Sequence, residues 1–335
     1  MNYNPNNISS LDLFRGIAGY GVAICHFFYY LYDLKNFHFY SIFFVEFFFI
    51  LSGFVLFSQL HRVYDNIRNA KIFFLRRWYR TIPPYLIALV IYSILFAKFD
   101  SDTLKYLFFI QKITYNFVNS NYITIAWSLS IEEFFYLIFP IFLIVLNKKK
   151  FLHIIILFIS IIYAIKFAYF FSNNIDNEFF RTGTFLRLDS IAFGVLTRIY
   201  FEKIKNNFTN ILSAISILLL VNFFFQNFQN LEISQLFIFI LLIQCLSINL
   251  IIIFINFDKL IINKFLINIF SLLSKQTYSV YLFHLVFLYL INSNPFLLNS
   301  KYIFVFYLIS LFLFSSLFYY AIEKKINEHR PVYKN

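Results

Sequence analysis

Two ionisable side chains, Arg15 and His26, stand eleven residues apart in the first long apolar run of the chain. On an α-helix eleven residues make almost three turns, so both side chains leave one face, about 16 Å apart along the axis. Ionisable groups in such a segment are costly and by default mark a functional path. The competing reading is a pair of polar residues that snorkel or bridge helices. His26 suits a general base, because imidazole changes charge near neutral pH. Glu46, within Phe44-Val45-Glu46-Phe47-Phe48-Phe49-Ile50-Leu51-Ser52-Gly53-Phe54, places a carboxylate in the second apolar run, and the Ser52-Gly53 pair suits close helix packing. Arg77 and Arg80 share a helix face at i, i+3. Paired guanidinium groups suit phosphate oxygens, which each can bond bidentately, although basic anchors at a membrane surface would look the same. Glu132 and Glu133 follow Trp127-Ser128-Leu129-Ser130-Ile131, with Tyr136 one turn on. Arg187, Asp189 and His284 lie in later apolar runs, where charge compensation or a hydrogen-bonded core histidine explains them equally well.

These residues are carried by a membrane protein. The 335 residues are 61% hydrophobic and 13% charged, more apolar than a soluble domain of this length can cover. The 52 phenylalanines fit interchangeable lipid-facing positions better than a cofactor site. Cys25 and Cys245 both fall inside apolar runs, which argues against a disulfide or a zinc site, and no metal is expected. Apolar runs predict about ten transmembrane helices, over residues 10–31, 38–60, 83–99, 127–146, 151–171, 183–201, 209–227, 234–256, 270–292 and 302–322. The class is therefore all-α and polytopic. Of the 28 Lys and Arg, 17 fall in segments that are cytoplasmic if the N-terminus is, and six in the opposite loops. By the positive-inside rule both termini are expected in the cytoplasm. The net charge of +12 then reports topology, and no nucleic-acid partner is implied. No cleavable leader is evident in the first apolar run.

At about 1.5 Å per residue, His26 stands about 22 Å from the cytoplasmic surface. Glu132, Arg187, Asp189 and His284 come out in the same outer layer, and Arg15, Arg77 and Arg80 in an inner one. A base with carboxylates on one side and phosphate-binding cations on the other suits an enzyme with two ligands, each reached from a different face.

The chain resembles the acyltransferase type 3 family of integral membrane acyltransferases over nearly its full length. The matching pieces run in order from Leu13-Phe14-Arg15-Gly16-Ile17-Ala18 and His26 through Val45-Glu46-Phe47-Phe48 and Ser52-Gly53-Phe54. They continue with Arg77, Arg80, Pro83 and Tyr85, then Trp127 to Glu132 with Phe135-Tyr136, Arg187 to Gly194, Tyr278 to His284, and Ile322-Glu323-Lys324. The family usually has Asp at Glu46, Gln at Phe134 and Pro at Lys325. Phe134 removes a polar group beside Glu132.

The resemblance implies residues 1–325 as the acyltransferase domain, with 326–335 a short cytoplasmic tail, in the form that carries no fused hydrolase-like domain. It implies transfer of an acyl group, usually acetyl, from cytoplasmic acyl-CoA, a co-substrate with no permanently bound cofactor. The acceptor would be a hydroxyl of a surface or secreted glycan, such as lipopolysaccharide, exopolysaccharide or a lipid-linked oligosaccharide. The setting would be the bacterial plasma membrane, crossed many times among its lipids. In that scheme His26 is the base, with Glu132 or Glu46 orienting its ring or the acceptor. Arg15, Arg77 and Arg80 hold the CoA phosphates, and Trp127, Ser130, Tyr136, Arg187, Asp189 and His284 support the acceptor side. The main alternative is a glycan or lipid transporter that uses the buried charges as a proton or substrate path. A glycan polymerase would need a larger outer loop than residues 100–126.

Overall fold

The computed structural model describes residues 9–172, 176–225, 231–258 and 263–333. Among these the regular structure is entirely helical: α1 Ser9–Tyr32, α2 Lys35–Asp65, α3 Asn69–Leu95, α4 Ser101–Leu107, α5 Ala126–Val145, α6 Phe151–Phe170, α7 Asn177–Thr182, α8 Leu188–Ile204, α9 Asn207–Phe225, α10 Ile233–Phe257, α11 Lys264–Asn292, α12 Pro295–Leu298 and α13 Ile303–Phe318. A π-helical turn, Tyr319–Glu323, joins α13 to α14, Lys324–Glu328. In lipid a helix satisfies its own backbone, which is why long apolar runs take this form.

Among the described residues six helices are long and apolar enough to cross a membrane: α1, α2, α5, α6, α10 and the continuous α13–α14. The other expected spans coincide with helices of different character. α3 carries Lys71, Arg76, Arg77 and Arg80, α8 has 17 residues, and α11 buries Ser274, Gln276, Thr277, Ser279 and His284. Two boundaries differ from expectation. α3 starts at Asn69, not near Pro83, so Arg77 and Arg80 are helical, and Pro83 and Pro84 lie inside the helix. These prolines offer no N–H to the carbonyls one turn earlier. The span expected over 183–201 starts at Leu188, because residues 183–187 form turns that put Arg187 at the helix entrance. The expected tail, 326–335, begins as helix up to Glu328; residues 334–335, and the end of the span at 226–227, lie outside the described residues.

Loops expected on the same side contact one another. At one end Tyr64 donates to the Lys149 carbonyl (3.2 Å), Arg76 to the Pro331 carbonyl (2.7 Å) and Ser10 N–H to Asp258 (2.8 Å). At the other, Thr184 N–H reaches the Lys112 carbonyl (2.9 Å) and Asn177 the Leu231 carbonyl (2.6 Å).

Two close helix pairs set the frame. α2 and α8 meet through Gly53 and Gly194, where an added Cβ would lie 1.9 Å from the Ile191 carbonyl oxygen and 2.0 Å from that of Ile50. No side chain fits there, so the packing role expected of Gly53 is met by backbone touching backbone. α1 and α11 run side by side, parallel. They touch near Arg15 and Ser274 (3.0 Å) and again near His26 and His284 (2.8 Å), eleven and ten residues further along.

Candidate active site

A narrow inner cavity of about 90 Å³ is lined by Arg15, Arg77, Arg80, Glu132, Tyr136 and Tyr278, among others. A broad outer cavity of about 550 Å³ is lined by His26, His38, Trp127, Glu178 and Arg181, among others. Val45 and Tyr281 line both, so the two meet at this pair. Tyr281 is fixed there by Ser128 Oγ (2.6 Å) and by donating to the Ile125 carbonyl (3.2 Å).

α1, α3 and the start of α5 supply the inner charges. Arg77 is buried and donates to Gln59 Oε1 (2.6 Å), while Arg15 donates to Ser274 and faces Asp12 at 3.5 Å. Arg80, one turn from Arg77, also lines the cavity. Three guanidiniums thus converge against the carboxylates of Glu132 and Asp12, leaving a cationic surplus suited to phosphate oxygens. Glu132 departs from the depth expected of it. It faces these arginines, not the ring of His26. Tyr136 follows it, bonding Ser52 Oγ at 3.2 Å on the inner side, not the acceptor side.

At the outer cavity the partner of His26 is a second histidine. His26 Nδ1 lies 2.8 Å from His284 Nε2, with the rings stacked at 5.0 Å. His284 is fully buried, and its Nδ1 faces the carbonyl oxygens of Tyr281 (2.8 Å) and Val280 (3.2 Å). Carbonyl oxygens only accept, so His284 Nδ1 carries the proton. In the neutral ring Nε2 is then a lone pair. That nitrogen accepts from His26 Nδ1–H, which leaves Nε2 of His26 as the unprotonated nitrogen. The arrangement selects the tautomer that a general base needs.

The remaining expected residues are placed as follows. Glu46 does not orient His26: its carboxylate is buried in an ion pair with Arg187. Arg187 also donates to Ser190 Oγ (3.2 Å) and the Arg181 carbonyl (3.0 Å). Asp189 pairs with Lys166 (2.5 Å), and Gln244 bonds Asp189 (3.2 Å) and Ser190 (2.8 Å). Two cations and two anions form a neutral buried cluster tying α2, α6, α8 and α10 together. Arg187 and Asp189 therefore hold the frame, with neither lining a cavity described above. Ser130 donates to the Ala126 carbonyl (3.3 Å) within its own helix. Trp127 does face the outer cavity, with the Arg181 guanidinium 5.3 Å above its ring.

Residues 8–325 match the acyltransferase domain family Acyl_transf_3. The chain belongs to this acyltransferase family. Relatives of the same kind include a "Putative O-acetyltransferase" of Staphylococcus aureus (strain COL), 29% identical over 224 residues, 60% of this chain and 36% of that protein. A protein with the same description from strain MSSA476 is 29% identical over 62% of this chain and 37% of its own length. The peptidoglycan O-acetyltransferase OatA of Listeria monocytogenes serovar 1/2a is 31% identical over 123 residues, 31% of this chain and 20% of its own. The chain thus spans about a third of the length of the first of these relatives. No solved structure matches it significantly.

Sequence reasoning gave no role to Tyr30, His38, Glu178 and Arg181, and named Tyr281 only within the run from Tyr278 to His284. Tyr281 precedes His284 by one helical turn, a spacing that could have drawn attention to it. Glu178 and Arg181 sit on the six-residue α7, too short to leave a periodic signal.

Proposed function

We propose that the protein transfers an acyl group, acetyl in the simplest case, from acyl-CoA to a hydroxyl of an extracytoplasmic glycan at the cell membrane. One observation carries the reading: an arginine-lined cavity and a histidine-lined cavity adjoin, with Val45 and Tyr281 lining both. The inner cavity, the smaller of the two, would take the pantetheine arm, with Arg77, Arg80 and Arg15 toward its phosphates. The outer cavity pairs Trp127, Tyr29 and Tyr30 with Asn121, Asn177 and Glu178, aromatic faces and hydrogen-bonding groups of the kind a sugar ring needs.

In this mechanism the acceptor hydroxyl loses its proton to Nε2 of His26 as its oxygen attacks the thioester carbonyl. The tetrahedral adduct collapses with cleavage of the C–S bond. The departing CoA sulfur takes the proton back from His26, leaving the ester on the glycan. His284 positions the ring and accepts its Nδ1–H throughout. The transporter reading is less well supported, because the buried charges of Glu46, Arg187, Asp189 and Lys166 pair among themselves and line neither cavity.

The test is to give the purified protein in vesicles labelled acetyl-CoA and a crude cell-surface glycan fraction. Alkali-labile label on the glycan is expected with the wild type and absent with His26→Ala. Equal labelling by both would refute the site. Incubation without acceptor separates direct transfer, which leaves the protein unlabelled, from a covalent acetyl-His26 route, which labels it.

A further inference from the structure

The scheme above gives the arm of the donor a place in the inner cavity and leaves its adenosine end without one. Outside that cavity, on the same end of the bundle, stands a group of arginines that the scheme leaves unused. Two guanidiniums pack on the ring of Tyr333, that of Arg62, from the last turn of α2, 4.9 Å from its centre and that of Arg76, from α3, 5.4 Å. A guanidinium stacked on a ring spends its face there and keeps its N–H edge for an anion. Arg76 donates from Nη1 to the Pro331 carbonyl (2.7 Å), which folds the segment 330–333 against α3. Buried Nε atoms of Arg76 and Arg77 and the buried Tyr333 hydroxyl have no hydrogen-bond partner among the described residues. Such atoms are costly unless a ligand meets them. Arg330 joins the group: burial, and then the like charges of Arg80, Arg76 and Arg77, push its pKa down to about 10. Five guanidiniums thus crowd one rim, a repulsive arrangement that a polyanion would relieve.

We propose that Arg62, Arg76, Arg330 and Tyr333 form a separate subsite for a clustered phosphate ligand, the 3′-phosphoadenosine end of the CoA donor. This rests on the reading of acyl-CoA as donor. The subsite continues directly into the cavity at Arg77, whose charge neighbours include Tyr333 and Arg76. A nucleotide held there would lie outside the narrow channel while its arm threads inward past Arg80. Anionic lipid headgroups share this chemistry and are the competing source.

The test is calorimetric titration of the full chain in phosphatidylcholine nanodiscs with CoA, dephospho-CoA and acetyl-pantetheine. The wild type should prefer CoA to dephospho-CoA about tenfold, the scale of one charge-assisted phosphate contact. Arg62→Ala, Arg76→Ala and Tyr333→Ala should each weaken CoA about tenfold and erase that preference, with acetyl-pantetheine unchanged. Tyr333→Phe, which keeps the ring against the guanidiniums but removes the unpartnered hydroxyl, should weaken CoA less than Tyr333→Ala does. Arg62 is exposed, so its variant is expected to fold even where the others do not. An equal loss of CoA and acetyl-pantetheine, or a persisting preference in Arg62→Ala, would overturn the subsite. So would variants that lose binding to nanodiscs containing phosphatidylglycerol while keeping CoA. A wild type that binds no CoA at all would remove the donor assignment as well, so the two failures are distinguishable.

Discussion

Replacing His284 by alanine tests the tautomer argument. In the wild type, His284 Nε2 accepts from His26 Nδ1–H at 2.8 Å, with its own Nδ1–H held by two backbone carbonyls. Alanine leaves the His26 donor without its partner and lets the ring adopt the other tautomer, with Nε2 protonated and useless as a base. An orphaned donor at a buried site costs about 1–3 kcal/mol. At about 1.36 kcal/mol per decade, kcat should fall roughly 5- to 150-fold. The KM for acyl-CoA should hold, because the donor arginines line the other cavity. His26→Ala should lose about 10²- to 10⁴-fold, the usual span for a general base. The double variant should be no slower than His26→Ala, since a positioning residue has nothing left to position. The assay is steady-state release of CoA thiol with saturating glycan, alongside a thermal-unfolding check on each variant. A wild-type kcat in His284→Ala, or a double variant slower by the product of the singles, would refute the reasoning.

Arg77→Ala and Arg80→Ala should each weaken acyl-CoA binding about ten- to a hundredfold, from about 1.5–3 kcal/mol per charge-assisted contact; unchanged calorimetric affinity in the double variant would make them membrane anchors. Glu46→Gln should destabilise the fold by about 3–5 kcal/mol by leaving Arg187 buried without its counter-charge. Glu46→Leu with Arg187→Met should regain most of that loss, whereas a well-folded Glu46→Gln with impaired kcat would restore Glu46 to the catalytic group. Gly53→Val should push α2 and α8 apart and lower the melting temperature, at a cost of at least about 1–3 kcal/mol; an unchanged melting curve would contradict the contact. Reporter fusions at Lys149 and after Tyr333 should read cytoplasmic and one at Asp176 extracytoplasmic, and a cytoplasmic signal at Asp176 would overturn the ten-span topology that the sequence predicts.

Helix periodicity reports which residues share a face, and along α1 it put Arg15 and His26 on one side, as the structure has them. It reports depth only as well as the helix ends are known. Counting residues along the expected span puts Glu132 in the outer layer, yet it faces the arginines of the inner cavity. The partner of His26 was not legible at all, because the contact of α1 with α11 is between helices some 258 positions apart in sequence. Nothing local marks His284 as different from an ordinary core histidine. Glu46 misled for a related reason. A lone buried carboxylate in one helix reads as catalytic until its counter-ion, Arg187 at the entrance of α8, is known to lie beside it. Gly53 was readable because a small residue in a membrane helix has few other uses, and Gly194 answers it across the interface.

The most direct test of the account is the fate of label across a membrane. Spheroplasts or vesicles would hold labelled acetyl-CoA on the side of Arg77 and Arg80, with glycan on the side of His26. The account predicts alkali-labile acetate on the glycan with the wild type and none with His26→Ala, although that variant still binds acetyl-CoA. Label that crosses without forming an ester, or equal esterification by His26→Ala, would contradict it.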